Sequence, residues 1–287
     1  MKYHIIFNPT AKSGKAKPVL DKVCKRLTQA GKEFEIHETI TKGHAKGLAE
    51  TLSKTVEELI IIGGDGTVHE VLNGITDPQK VRIAIIPAGT GNDFCSGVGI
   101  SFDPDSAMAA VLRGDAKPTD YIDFSGRRCL NVGGMGMDVA VLERVSRGNM
   151  KGKIKYLWSL ISTMFTFKGQ QVRLSVNGKV YTEKALFVAV CNGSQFGGGI
   201  RICPGAEVAD GKLEVVLVRQ LGFFGIIRAF ISLMRGKILS FPETQHFYCE
   251  AAEILPDSAS TIQLDGELYE NCRVLDAKIM HGLKIYR

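Results

Sequence analysis

Ile60–Gly74, IIIGGDGTVHEVLNG, carries three successive signals. Ile60–Ile62 is a β-branched apolar run, as in a parallel strand buried on both faces. Gly63 and Gly64 permit a sharp turn and a close approach of backbone to a ligand. Asp65, Gly66 and Thr67 occupy the turn, with Thr67 as a candidate cap. Val68, Val71, Leu72 and Ile75 then recur at helical spacing, and Glu70 places an acid on the first helical turn. Strand, glycine turn and helix N-terminus together aim free N–H groups and the positive end of a helix dipole at one point, an arrangement suited to phosphate. The competing interpretation is a tight βα turn without a ligand.

The flanking segments repeat this pattern. Tyr3–Phe7 is an apolar run followed by the polar loop NPTAKSGK (Asn8–Lys15), then by Val19, Leu20, Val23 and Leu27 on one helical face. The loop is not a P-loop, because GxxxxGK[ST] cannot be aligned to it. Phe34–Glu38 predicts a second strand, with a turn at Thr39–His44 and a helix over Ala45–Leu52. Glu58–Ile62 is the third strand. Val81–Ile86 is the fourth, and it runs into PAGTGNDF (Pro87–Phe94). Four strands ending in loops rich in Gly, Thr, Ser or Asp imply a parallel, doubly wound, Rossmann-like α/β sheet with its ligand beyond the strands' carboxyl ends.

After a helix over Pro104–Leu112 the pattern changes. Strand-like segments dominate at Arg128–Val132, Gln171–Val176, Tyr181–Cys191, Lys212–Val218, Thr261–Leu264 and Ala277–Ile285, with a hairpin signal at Asn177-Gly178. The expectation is two domains. Residues 1–123 form the α/β domain and residues 124–276 a β-rich, sandwich-like domain, with the last strand, 277–287, free to return to the first. The glycine cluster Gly133–Asp138 is read as a hinge or a cleft wall. Ile154–Phe167 and Leu221–Leu239 are apolar with basic residues. Each is either a core-covering helix or a surface for lipid.

Composition narrows the classes. Of 287 residues, 45% are hydrophobic and 23% charged, as in an ordinary globular protein. The net charge of +6 is too weak to argue for nucleic acid, but suits a phosphorylated ligand or an anionic membrane. Seven cysteines without CxxC pairs read as reduced thiols, and no signal peptide or spanning segment is expected. ADG at Asp210 and LDGE ending at Glu267 are turns that deliver acids, and an Asx-turn is the plainer account of the first.

GGDGTVHEVLNG (Gly63–Gly74) followed by PAGTGNDF resembles the diacylglycerol kinase catalytic-domain family, and the order of the other pieces is similar to its bacterial soluble lipid kinases. GGDGT alone is shared with NAD kinases and phosphofructokinases. The resemblance implies a cytoplasmic lipid kinase of phospholipid metabolism with ATP in an interdomain cleft. Nucleotide contacts would fall on Asn8, Pro9, Thr10, Ser13, Gly14, Thr39, Gly63, Gly64, Asp65, Gly66, Thr67, Val68, His69, Glu70, Gly89, Thr90, Asn92 and Asp93. Asp65 would lie near Mg²⁺-bound phosphates. Glu267 would take the proton from the acceptor hydroxyl, with Asp65 as the other candidate for that role. A structural Mg²⁺ would use the Asp210 side chain and main-chain oxygens of Glu207 and Lys212. His69 stands where Asn is frequent, and either Asp120 or Asp123 matches the acid at the domain junction. The acceptor would be diacylglycerol or a similar lipid, met transiently at a membrane surface, and relatives often form dimers. A kinase of a soluble acceptor such as NAD, and a nucleotide-binding module without catalysis, are the rivals.

Overall fold

The computed structural model describes residues 2–147, 163 and 166–287. The predicted segment Ile154–Phe167 therefore lies outside the described residues except for Thr163, Thr166 and Phe167.

The first domain is the expected parallel sheet. Strands β1 (Tyr3–Phe7), β2 (Phe34–Glu38), β3 (Glu58–Gly63) and β4 (Arg82–Pro87) run parallel in the order β2-β1-β3-β4. Every residue of β3 is buried. Leu59 and Ile61 face one layer with Ala45, Ala49, Val68 and Val71, while Ile60 and Ile62 face the other with Leu20, Val23, Leu27 and Met108. This two-sided burial explains the continuous apolar run, and each such side chain contributes roughly 1.5–3 kcal/mol on leaving water. Between β1 and β2, the turn labelled α1 (Ala11–Gly14) precedes helix α2 (Lys17–Gln29). Helices α3 (His44–Leu52) and α4 (Asp65–Gly74) alternate with the next strands, and α5 (Asp93–Val98) and α6 (Pro104–Arg113) follow β4.

Strand β5 (Ala116–Phe124) then pairs with β6 (Arg127–Cys129). The predicted strand Arg128–Val132 is in fact two, β6 and β7 (Val132–Gly136), because the chain leaves one neighbour for another at Leu130-Asn131. The glycine cluster is the body of β7 and the start of α7 (Met137–Arg147). A Cβ on Gly134 would stand 2.5 Å from the Val188 carbonyl oxygen, so it lies against the neighbouring strand.

The second domain is an antiparallel sandwich. Its centre is β9 (Lys179–Cys191), which pairs with β7, with β8 (Gln170–Val176) and, beyond the hairpin β10 (Gln195–Phe196) and β11 (Ile200–Arg201), with β12 (Leu213–Arg219). Asn177 (φ 49°) and Gly178 (φ 72°) form the predicted two-residue turn between β8 and β9. Helix α8 (Phe223–Met234) leads to β13 (Thr244–Cys249), paired with β12. Strands β14 (Ala251–Pro256), β15 (Ser260–Leu264) and β16 (Glu267–Cys272) follow. On β9, Val188 and Val190 face the sandwich core with Leu213, Val215 and Ile254. Phe187, Ala189 and Cys191 face the opposite layer, which α7 and α8 cover.

The last strand, β17 (Leu275–Tyr286), joins the two halves. It lies antiparallel to β5 and β14, and its end adds parallel to β4 through Ile285 opposite Ile83.

Candidate active site

The turns after β3 and β4 touch backbone to backbone. A Cβ on Gly64 would stand 2.9 Å from Gly89 Cα, and one on Gly89 2.4 Å from Gly64 Cα. Both positions therefore need glycine for this contact alone. Thr67 does not cap α4, whose N-cap is Gly64. Its hydroxyl accepts from Asn8 Nδ2 at 2.9 Å, which ties the β1 loop to the β3 turn. Asp65 Oδ2 accepts the Asn92 N–H at 2.6 Å, and Asn92 Oδ1 accepts the Gly89 N–H at 3.0 Å. Three strand-end loops are thus bound into one surface.

That surface floors a polar cavity of about 480 Å³, lined by Asn8, Thr10, Thr39, Gly64, Gly66, Thr67 and Gly89 among others. Glu267, at the start of β16, closes it from the second domain, where its Oε2 meets Lys42 Nζ at 2.6 Å. Pro9, Ser13, Gly14 and Thr90 lie outside this lining, with Ser13 and Thr90 exposed. Glu70 borders the cavity, but its carboxylate accepts the Gly43 and Ala45 N–H groups and so caps α3.

A second cavity, of about 280 Å³, adjoins the first at Gly64. Its walls are apolar: Val68, Phe94, Val132, Met137, Val141, Phe187, Phe196, Ile202, Phe230 and Leu233. Asp65 and Asp93 also line it. A Cβ on Gly91 would stand 2.8 Å from Asp65 Oδ2 and 3.5 Å from Asp93 Oδ2, so both carboxylates border one small space. Burial, with the Asp93 charge second, pushes the Asp65 carboxyl up to about 6. Such a pair fits a divalent cation, which would relieve both effects. Asp93 also accepts the Gly198 and Gly199 N–H groups, so it fastens the second domain to this rim. Deeper in the cavity, burial pushes the Asp138 carboxyl up to about 6. Its Oδ1 has no hydrogen-bond partner among the described residues.

The LDGE turn divides its acids. Glu267 faces the polar cavity, whereas Asp265 turns inward at φ 52° and is buried. Asp265 Oδ2 lies 3.0 Å from His69 Nδ1, and its two oxygens accept the Leu130 and Asn131 N–H groups and the Cys129 thiol. His69 Nε2 meets the Tyr269 hydroxyl at 2.8 Å. His69 therefore faces the other domain. Asp265 was not among the expected site residues. Its signal was its place beside Glu267, but sequence cannot say which acid of a turn points inward.

At the ADG turn, Asp210 Oδ1 accepts the Lys212 N–H at 3.0 Å, an Asx-turn, and Glu207 is exposed nearby. Asp120 is buried and accepts the Gly211 N–H at 2.9 Å, with His281 Nδ1 at 2.7 Å on its other oxygen. Asp123 only closes the turn at Gly126. Asp120 thus ties the ADG turn to the last strand.

The chain is similar to known proteins along nearly all of its length. Residues 2–124 match the diacylglycerol kinase catalytic domain, and residues 131–279 match the YegS C-terminal NAD kinase beta sandwich-like domain. It is 26% identical over 268 residues to the diacylglycerol kinase of Bacillus subtilis (strain 168), covering 92% of this chain and 88% of that one. A crystal structure described as a diacylglycerol kinase from Bacillus anthracis str. Sterne superposes with a TM-score of 0.80 at 26% identity, covering 99% of this chain and 96% of the other. With both domain matches in the expected order on the expected fold, the chain belongs to the diacylglycerol kinase catalytic-domain family.

Proposed function

We propose that this protein is an ATP-dependent lipid kinase that phosphorylates the hydroxyl of diacylglycerol or a similar lipid. The observation that carries the reading is the junction at Gly64. There a polar cavity floored by strand-end loops opens against an apolar one, with Asp65 on the boundary. Phosphoryl transfer needs a donor and an acceptor in line, and the two cavities offer sites of opposite chemistry for them.

The polar cavity would hold the nucleotide phosphates through the N–H groups of the glycine turns and the hydroxyls of Thr10, Thr39 and Thr67. Asp65, with Asp93 beside it, would hold Mg²⁺, which when bound neutralises phosphate charge. Asp65 also lines the apolar cavity, so of the two candidate bases it is nearer an entering acceptor hydroxyl. Glu267, paired with Lys42 above Gly66, would orient the donor. The unpartnered Asp138 oxygen would meet a polar group of the acceptor. A structural Mg²⁺ at Asp210, with main-chain oxygens of Glu207 and Lys212, extends the same reading.

Lipid delivery would use α8. Phe224 and Met234 are exposed on it, with Arg228, Arg235 and Lys237 nearby, while Phe230 and Leu233 reach into the apolar cavity. An amphipathic helix of this kind suits transient contact with the inner face of an anionic membrane. No helix among the described residues is long and apolar enough to cross one.

The rival acceptor is NAD, because the second domain belongs to an NAD kinase beta sandwich-like class. The aliphatic and aromatic walls of the acceptor cavity favour an acyl chain instead. Labelled ATP offered to a lipid panel in mixed micelles, with NAD as control, tests the reading. Label is expected on lipid; label on NAD alone would refute it.

A further inference from the structure

Strand β12 places a carboxylate on a buried apolar face. Its residues alternate: Leu213, Val215 and Leu217 enter the sandwich core, while Val216 and Val218 enter the layer covered by α7 and α8. Glu214 shares that second face and is only 4% exposed. Directly opposite it on β9 is Cys191, and two positions along the partner strand β13, opposite Val216, is His246. The chain following β11 then brings Cys203 onto the same spot. Cys191 and Cys203 are fully buried and hydrogen-bond one another.

His246 Nε2 lies 2.6 Å from Glu214 Oε2. The Cys203 Sγ, a Glu214 oxygen and a His246 ring nitrogen all fall within 4.8 Å of one another. Among the described residues this buried carboxylate meets the His246 imidazole and the Cys203 thiol, and an ionisable cluster of this kind in an apolar layer carries a heavy desolvation cost. A thiolate, a carboxylate and a neutral imidazole around a divalent cation would instead sum to zero charge. Sulfur, nitrogen and oxygen donors together match the preferences of zinc, which holds N and O at about 2.0 Å and S at about 2.3 Å in a tetrahedron. Donors in that tetrahedron stand roughly 3.3–3.7 Å apart, so the cluster needs to adjust by only about 1 Å.

We propose that Cys203, Glu214 and His246 form a structural zinc site. The site is separate from the ADG turn, whose donors are all oxygen. It sits behind the cavity wall, one residue from Ile202, and would fasten the Gly197–Cys203 segment to β12 and β13. Binding releases the thiol proton and holds the imidazole neutral, so affinity falls as pH drops. A second trio, His4, Glu35 and His37, lies at the outer strand pair. There Glu35 is already taken by Lys2 at 2.6 Å in an exposed setting, so it serves as the comparison.

The test uses the full chain produced with zinc, desalted, and assayed for metal by mass spectrometry. About one zinc per chain is expected, lost in Cys203→Ser and in His246→Gln and kept in His37→Ala. Cobalt in place of zinc should give a thiolate charge-transfer band in the wild type that is absent from Cys203→Ser. Chelation should lower the Tm of the wild type and leave that of Cys203→Ser unchanged, which separates metal loss from misfolding. A folded wild type that retains no zinc, zinc lost only in His37→Ala, or a Cys191–Cys203 disulfide detected by mass would each overturn the proposal.

Discussion

His69 and Asp265, 196 positions apart in sequence, are joined at 3.0 Å, and both are almost wholly buried. The contact fixes helix α4, which begins in the glycine turn, to the turn that delivers Glu267. Burial would push the Asp265 carboxyl up, but the bonds from His69, the Leu130 N–H and the Cys129 thiol together hold it below the usual carboxylate range. Stability from this group is therefore present above the unfolded carboxyl pKa and lost as pH falls through the lower folded value. Asp265→Asn is expected to cost about 3–5 kcal/mol, measured by denaturant unfolding at neutral pH, because it leaves buried donors and an unbalanced imidazole. A cost below about 1 kcal/mol would show that the two domains are held elsewhere.

Asp65 has the opposite sign. Its carboxyl is raised from 3.8 to about 6, so ionising it opposes folding, and its contribution falls as pH rises from about 4 to about 6. Asp65→Asn should raise stability at pH 7 by about 1–3 kcal/mol in the absence of metal while lowering kcat about 10²–10⁴-fold. Equal loss of stability and activity would make Asp65 a structural residue.

Glu267→Gln separates the two candidate bases. Pairing with Lys42 on the donor side predicts a rise in KM for ATP with kcat lowered no more than about 10-fold. A fall in kcat of about 10³-fold or more, exceeding that of Asp65→Asn, would return the proton-accepting role to Glu267.

Leu233→Trp tests the acceptor cavity from α8. Filling it should lower lipid turnover about 10-fold or more, at a stability cost of about 1–3 kcal/mol, with the Kd for ATP unchanged. Turnover equal to wild type on lipid would place the acceptor elsewhere.

Phe224, 79% exposed at the start of α8, has no core to lose. Phe224→Asp should leave the Tm unchanged while reducing co-sedimentation with anionic vesicles several-fold. Equal sedimentation of both proteins would remove α8 from membrane contact.

The βα order was written locally. Buried parallel strands, glycine turns and helical faces each leave a short-range pattern, and the first four strands fall where those patterns place them. Ala116–Phe124 shows the limit. The change of pattern places a domain boundary near Lys117–Ser125, yet the segment is a nine-residue strand, because β17 supplies its partner from the far end of the chain. The split of Arg128–Val132 has the same origin, since only the neighbouring strands show where pairing changes.

The chemistry of the glycine turns could be read from residue types, because small residues and acids at a strand end have few uses. Their partners could not. Gly64 meets Gly89, Glu267 meets Lys42, and Cys203 meets Glu214 and His246 through strand register and chain return, which leave no trace in local spacing. In the turn at Ile60–Gly74, sequence set the backbone and the acid. The fold set what faces Asp65: Asp93 across Gly91, an apolar cavity on one side and a polar one on the other. Burial and neighbouring charge act across space, and those surroundings make its carboxyl a candidate for catalysis rather than one more turn residue.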